Sequence, residues 1–188
     1  MNKNNILEQL RAATASLHDQ VEQLPDMSRL MSPKVTDDDY LIALLRLRRL
    51  FWALEPTLSK HFFDLNRGDY CYLPRMKALN DDINCLSGSR PTESVEPLKL
   101  GYYQAIGAAY VVEGATMGGK VLAKRLSQTL NRSQTNGLKF FNFHRKGTRS
   151  LFISWLQQLE LEAQQINWIV EGATTSFRVL LDGCKNQR

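Results

Sequence analysis

Two features of this chain are of a kind that does chemistry. The first is His18, in a segment whose apolar residues Ile6, Leu10, Ala13, Leu17 and Val21 recur at helical spacing. A neutral imidazole nitrogen is a good ligand for a transition metal, iron included. In this setting a partly buried, hydrogen-bonded histidine is the plainer expectation. The second is a set of glycines, Gly114, Gly118 and Gly119, in a segment that is otherwise helical and resumes its stripe at once with Val121, Leu122 and Leu126. Each interior helical glycine costs about 1 kcal/mol relative to alanine, so glycines this close together need a reason. Gly114 and Gly118 are spaced i, i+4 and share a face that Tyr110 continues. A bare strip of this kind lets either a second helix or a flat ligand approach the backbone, and spacing alone puts packing somewhat ahead. His61 and His144 have no neighbours at metal-ligand spacing, and the paired Glu-x-x-His motifs of a di-iron bundle are absent.

These residues must be held by helices. Nearly every long segment repeats at the helical period and none alternates strictly. The predicted helices cover residues 6–21, a segment opening at the N-cap Thr36 with Asp37, Asp38 and Asp39 in its first turn, a segment opening at Pro74, and residues 102–130. A last helical pattern runs over 148–181 with a break near Leu161, and Pro56 is expected to kink or restart the second helix. Residues 25–33, 68–73, 87–97 and 131–147 read as loops. The expected fold is all-α, a single compact domain over residues 1–188 with roughly six to eight helices.

Composition narrows the function. A hydrophobic fraction of 43% with 23% charged residues excludes wholesale disorder. The net charge of +5 suits an anionic ligand, an acidic protein partner or nucleic acid. Nucleic acid is not expected, since basic and aromatic residues are not interleaved. Basic residues of the run Leu45-Arg46-Leu47-Arg48-Arg49 read as a solvated helix face before they read as a docking site. Cys71, Cys85 and Cys184 form no metal or CxxC pattern, so a reducing cytoplasm is the expected home. The longest apolar run, 105–112, is too short to span a bilayer, and no membrane association is expected.

At the chemistry-bearing residues the sequence resembles the heme oxygenase family, and its bacterial biliverdin-producing members most closely. The resemblance rests on Leu17-His18-Asp19 preceded by Ala12-Ala13-Thr14, and on the glycine-bearing segment from Tyr110 through Glu113, Gly114, Met117, Gly118, Gly119 and Lys120 to Leu122. The aromatic block Phe140, Phe141 and Phe143 and the stretch from Gly172-Ala173 to Phe177 add to it, so that the blocks together span nearly the whole chain.

The resemblance implies an enzyme that opens heme to biliverdin, carbon monoxide and ferrous iron with molecular oxygen. Heme, substrate and cofactor at once, would lie between a proximal helix bearing His18 as iron ligand and a distal helix whose backbone at Gly114 and Gly118 carries the catalytic face. A distal face without an acid–base side chain favours oxygen transfer to the ring over O–O cleavage of the peroxidase kind. Arg11, two turns before His18, and Tyr110 would meet the anionic propionates, with Arg149 and Arg145 weaker candidates, while Met117 and Phe177 would line the pocket; solvated surface charge is the plainer reading of each arginine taken singly. No flavin or nicotinamide fingerprint is present, so electrons are expected from a partner such as a ferredoxin or a reductase. A monomer is expected, since such a domain encloses its own ligand. The sequence departs from many family members at Ala115, where an aspartate organises water. That departure motivates the alternative of a heme-binding or trafficking protein without ring-opening activity. A third reading, by likeness of fold alone, is the chemistry of thiaminase-like and pyrroloquinoline-cofactor proteins, which lack the pairing of an early histidine with a glycine-rich helix.

Overall fold

Thr36 opens the longest helix of the N-terminal half through a reciprocal cap. Its hydroxyl accepts from the Asp39 amide at 3.2 Å, and the Asp39 carboxylate accepts from the Thr36 amide at 3.1 Å. The structure, a computed structural model, describes residues 6–63, 70–88 and 96–182, with the backbone alone at 117, 144 and 145. The elements in order are α1 (Ile6–Glu22), α2 (Pro25–Arg29), α3 (Asp37–Phe62), α4 (Met76–Ser87), α5 (Tyr102–Thr129), a 3-10 turn (Phe141–Lys146), α6 (Thr148–Leu156) and α7 (Ala163–Asp182). The fold is all-α: among the described residues there is no strand, only bridges from Ser133 to Asn136 and Gly137.

Several boundaries differ from the sequence expectation for identifiable reasons. Part of the 25–33 loop is the single-turn α2, opened by Pro25 at a position where no N–H is needed. Its Asp26 forms a buried ion pair with Arg46 of α3, and Arg46 also donates to the Leu180 carbonyl at 2.5 Å. The run 45–49 is therefore not a solvated face, because Arg46 and Arg48 are both buried. α3 passes Pro56 without restarting. An interior proline costs about 3 kcal/mol, whereas each of the fully buried Leu50, Phe51, Leu54 and Leu58 around it contributes about 1.5–3 kcal/mol. α4 begins at Met76 rather than Pro74. Its first amides are met in trans by Glu55 of α3, which accepts from Arg75 N at 2.6 Å and Met76 N at 3.2 Å. The last helical pattern is broken between α6 and α7, close to the expected Leu161. The predicted loops at 68–69 and 89–95 lie outside the described residues.

The core forms around α5 and α7. Ala105, Ile106, Ala108, Ala109 and Val112 of α5 are buried, as are Ile166, Ile169, Ala173 and Leu180 of α7. α1 and α3 also pack on α7, α4 packs on α3, and the 3-10 turn packs on α5. Both chemistry-bearing helices, α1 and α5, thus take their position from α7.

Candidate functional site

The glycines of α5 divide by what a side chain would meet. A Cβ on Gly107 would lie 1.9 Å from the Ile169 carbonyl oxygen of α7, and one on Gly172 would lie 2.0 Å from the Gln104 carbonyl oxygen. A Cβ on Gly119 would lie 3.0 Å from the Phe141 carbonyl oxygen in the 3-10 turn. These three are packing glycines. At Gly118 a Cβ would meet nothing within 4 Å, and at Gly114 it would meet only the Arg149 side chain, with Nη1 at 3.6 Å. The packing explanation that spacing favoured for Gly114 and Gly118 is therefore wrong at both: no second backbone approaches them. The helix carries a bare face there, open at Gly118 and met at Gly114 only by the Arg149 side chain.

His18 is not the partly buried, hydrogen-bonded residue that spacing favoured. Its side chain is 58% exposed, with Nδ1 3.7 Å from the Glu22 carboxylate. Its ring stands edge-on to Phe177 of α7 with centroids 6.1 Å apart. Phe177 is buried and backs the histidine rather than standing apart in a separate pocket wall. Asp19 and Glu22 join His18 to bring three possible ligand atoms within 4.8 Å of one another.

Arg149 lies beside Gly114 on the bare face. Its Nη1 is buried and has no hydrogen-bond partner among the described residues. Burial pulls its guanidinium below the usual arginine value; Tyr110 and Glu113 act in the opposite sense, and Arg11 repels it. Arg11 and Arg149 are thus close enough to feel each other, and half-buried Tyr110 of α5 acts on Arg149 as well. Two cations that repel and a buried donor without an acceptor form a place that an anion would stabilise. The side chains of Met117 and Arg145 lie outside the described residues. Thr116, beside Ala115, is buried and donates to the Val112 carbonyl at 3.1 Å, so its hydroxyl is committed to its own helix.

Sequence reasoning missed a buried polar cluster beneath this face. Glu113, next to Gly114, is fully buried. It accepts from Tyr70 Oη at 2.5 Å, Arg75 Nη2 at 2.7 Å and Thr148 Oγ1 at 2.7 Å. Arg75 is also fully buried, its cation over the rings of Tyr72 at 5.2 Å and Phe143 at 4.9 Å. Glu113 keeps that guanidinium above the ordinary arginine value against the pull of desolvation. The partners of Glu113 lie 35 to 43 residues away, and no local pattern announces such pairings.

Among the described residues, an exposed histidine on one helix, a bare glycine face on another and a buried arginine donor without an acceptor are the features that could hold a flat, anionic, metal-bearing ligand. Comparison with known proteins gives the class. The sequence profile of the heme oxygenase family matches residues 4–182, and the chain belongs to that family of enzymes. A heme oxygenase of Pyropia yezoensis is 25% identical over 93% of this chain and 82% of its own length. One from Xanthomonas campestris pv. campestris is 31% identical over 53% of this chain and 60% of its own length. Among solved structures, the heme oxygenase of Neisseria meningitidis, studied with NO and CO bound, superposes with a TM-score of 0.73 at 24% identity. It covers 94% of this chain and 88% of that one. Heme oxygenase-1 of the cyanobacterium Synechocystis, in complex with heme, superposes with a TM-score of 0.69 at 19% identity, over 94% and 89% of the two chains. The carrier alternative is not favoured by these likenesses. Among the described residues no helix is long and apolar enough to cross a membrane.

Proposed function

We propose that this chain binds heme between α1 and α5 and opens its ring, yielding biliverdin, carbon monoxide and ferrous iron from molecular oxygen and electrons supplied by a separate donor. The observation that carries the reading is the bare face at Gly114 and Gly118, on a helix whose other glycines are taken up by packing. A porphyrin can approach a helical backbone only where side chains are missing.

Heme, when bound, supplies the redox chemistry and oxygen binding. The protein's residues do the rest. His18 would present its exposed imidazole to the iron, with the Glu22 carboxylate on its Nδ1 side. Phe177 limits the tilt of that ring. Arg11, Tyr110 and Arg149 take the propionates, and the Arg149 donor without a partner gains one. Gly114 and Gly118 would let the ring lie close to the α5 backbone. Ala115 carries no proton-relay group, and the Thr116 hydroxyl is turned to its own helix, so neither would supply a proton on that side. The electron donor is an external ferredoxin or reductase, the working form is a monomer, and the protein works in the cytoplasm.

The test is to add hemin to purified protein, then ascorbate in air with catalase present, and follow the visible spectrum. Loss of the Soret band with growth of a biliverdin band is the expected result. A stable histidine-ligated spectrum that also survives an enzymatic electron donor would place the protein among heme carriers. Absence of any bound-heme spectrum would overturn the site.

A further inference from the structure

We infer that Glu113 and Thr148 are positioning residues that fix where Arg149 stands relative to the distal backbone at Gly114, and so which carbon of the ring is opened. The inference rests on the heme-opening reading above.

Each member of the pair is the chain neighbour of a site residue. Glu113 precedes Gly114 on α5, and Thr148 precedes Arg149 at the start of α6. Thr148 Oγ1 donates to Glu113 Oε2 at 2.7 Å, tying the two helices together one residue behind the pocket. The other carboxylate oxygen is occupied by Tyr70 and Arg75, and Arg75 Nη2 also reaches Thr148 Oγ1 at 3.0 Å, closing a triangle. Arg75 and Glu113 have no exposure and Thr148 only 3%. Hydrogen bonds to a charge in such a place are strong, and a broken one is not replaced by water.

α6 is anchored farther along by its buried Phe152, Trp155 and Leu156, but its start is held differently. It is only nine residues long, enters through Gly147 in the left-handed region, and has no side-chain cap bond. Its first turn therefore takes its place on α5 from the Thr148–Glu113 contact. Arg149 follows, and its Nη1 stands 3.6 Å from the point where a Gly114 Cβ would be. Heme carries both its carboxylates on one edge, so the site of the cation sets the rotation of the ring in its plane. Rotation decides which bridging carbon faces the bare strip at Gly114 and Gly118. A small slip of α6 along α5 would move the cation without removing it. That changes the choice of carbon and not the capacity to react.

The test uses the full chain loaded with hemin. Thr148→Val keeps the shape and removes the bridging hydroxyl. The biliverdin isomers are separated by chromatography, and proton spectra of the heme methyl groups in the cyanide complex report ring rotation without turnover. We expect the minor-isomer share and the minor-rotamer share to rise together by about fivefold, the population change that goes with one lost hydrogen bond. Thr148→Ser should return both toward the unaltered protein. Tyr70→Phe removes a donor from the same carboxylate but leaves the link between the helices. It should lower thermal stability and leave both shares alone. Thr148→Val protein with unaltered isomers and unaltered rotamers overturns the inference. So does Tyr70→Phe protein that shifts them as far. If the added methyl prevents folding, Thr148→Ala is judged by the same criteria. Failure of the unaltered protein to open hemin would instead strike the proposed function, and the rotamer spectra would still decide the positioning.

Discussion

Gly107 of α5 and Gly172 of α7 bring their two helices into backbone contact, each lying where a Cβ would overlap a carbonyl of the other helix. Gly118, eleven residues along α5 from Gly107, faces open space. The same residue type thus serves packing at Gly107 and, on the proposed reading, leaves room for a ligand at Gly118, and substitution separates the two roles.

Gly107→Ala should destabilise the protein by roughly 1–3 kcal/mol or more, since the methyl must displace backbone. Gly118→Ala should do the opposite, gaining up to about 1 kcal/mol from helix propensity. Yet Gly118→Ala should weaken hemin binding, because the methyl lifts the ring from the helix. Thermal melts and hemin titrations on both variants check the pair. Equal effects on stability at the two positions would remove the distinction between them.

Arg149→Leu should lower hemin affinity by about ten- to a hundredfold, the range for a lost charge-assisted hydrogen bond. The ligand-free variant should be no less stable than the parent. Its Nη1 is buried without a partner, and the cost of burying the guanidinium outweighs the attraction of Tyr110 and Glu113. A hemin titration paired with denaturation of the ligand-free protein gives both numbers. Unchanged affinity would place the propionates elsewhere.

Much of this arrangement is legible in the amino-acid sequence. The Thr36 cap, the amphipathic stripes and the break between α6 and α7 follow from local residue chemistry. The glycine segment identifies itself, because three costly residues in a helix require a cause. What spacing could not decide was the cause, since a Cβ's neighbours belong to other helices. Gly107 sits among alanines and gives no sign that Ile169 lies against it. Glu113 looks like any charged residue on a helix, and its burial depends on Arg75, Tyr70 and Thr148, all distant in sequence. The exposure of His18 is likewise set by how α1 lies on α7, which the stripe of α1 alone leaves open by a turn of the helix face.

His18→Ala should abolish the histidine-ligated spectrum of the hemin complex and cut ring opening by at least about an order of magnitude. Because the side chain is 58% exposed and meets the buried core only at the edge of Phe177 among the described ring contacts, the fold should be unaffected. Added imidazole should restore the spectrum in part, filling the space left beside Phe177. A variant with the parent's spectrum and rate would remove His18 from the site.

Asp82 gives the stability a pH dependence of unusual sign. It is fully buried on α4 and accepts from the amides of Lys139 at 2.9 Å and Phe140 at 2.8 Å, anchoring the segment that enters the 3-10 turn. Burial pushes its carboxyl up to about 6, although those amides and the Lys139 charge work the other way. An unfolded aspartate titrates near 3.9. The folded state therefore holds its proton more tightly, and the contribution is complete below about pH 4 and lost as the pH rises through about 6, amounting to about 3 kcal/mol. Asp82→Asn cannot ionise, so this loss should vanish from its stability profile. The amide offers one acceptor oxygen where two amides need one each, so the variant should be about 1–3 kcal/mol less stable at pH 4.5. By pH 7, where the parent buries a charge and the variant does not, the two should draw level. Denaturant unfolding of both proteins from pH 4.5 to 7 measures the gap, and a gap that stays constant across that range would show that Asp82 titrates as an ordinary carboxylate.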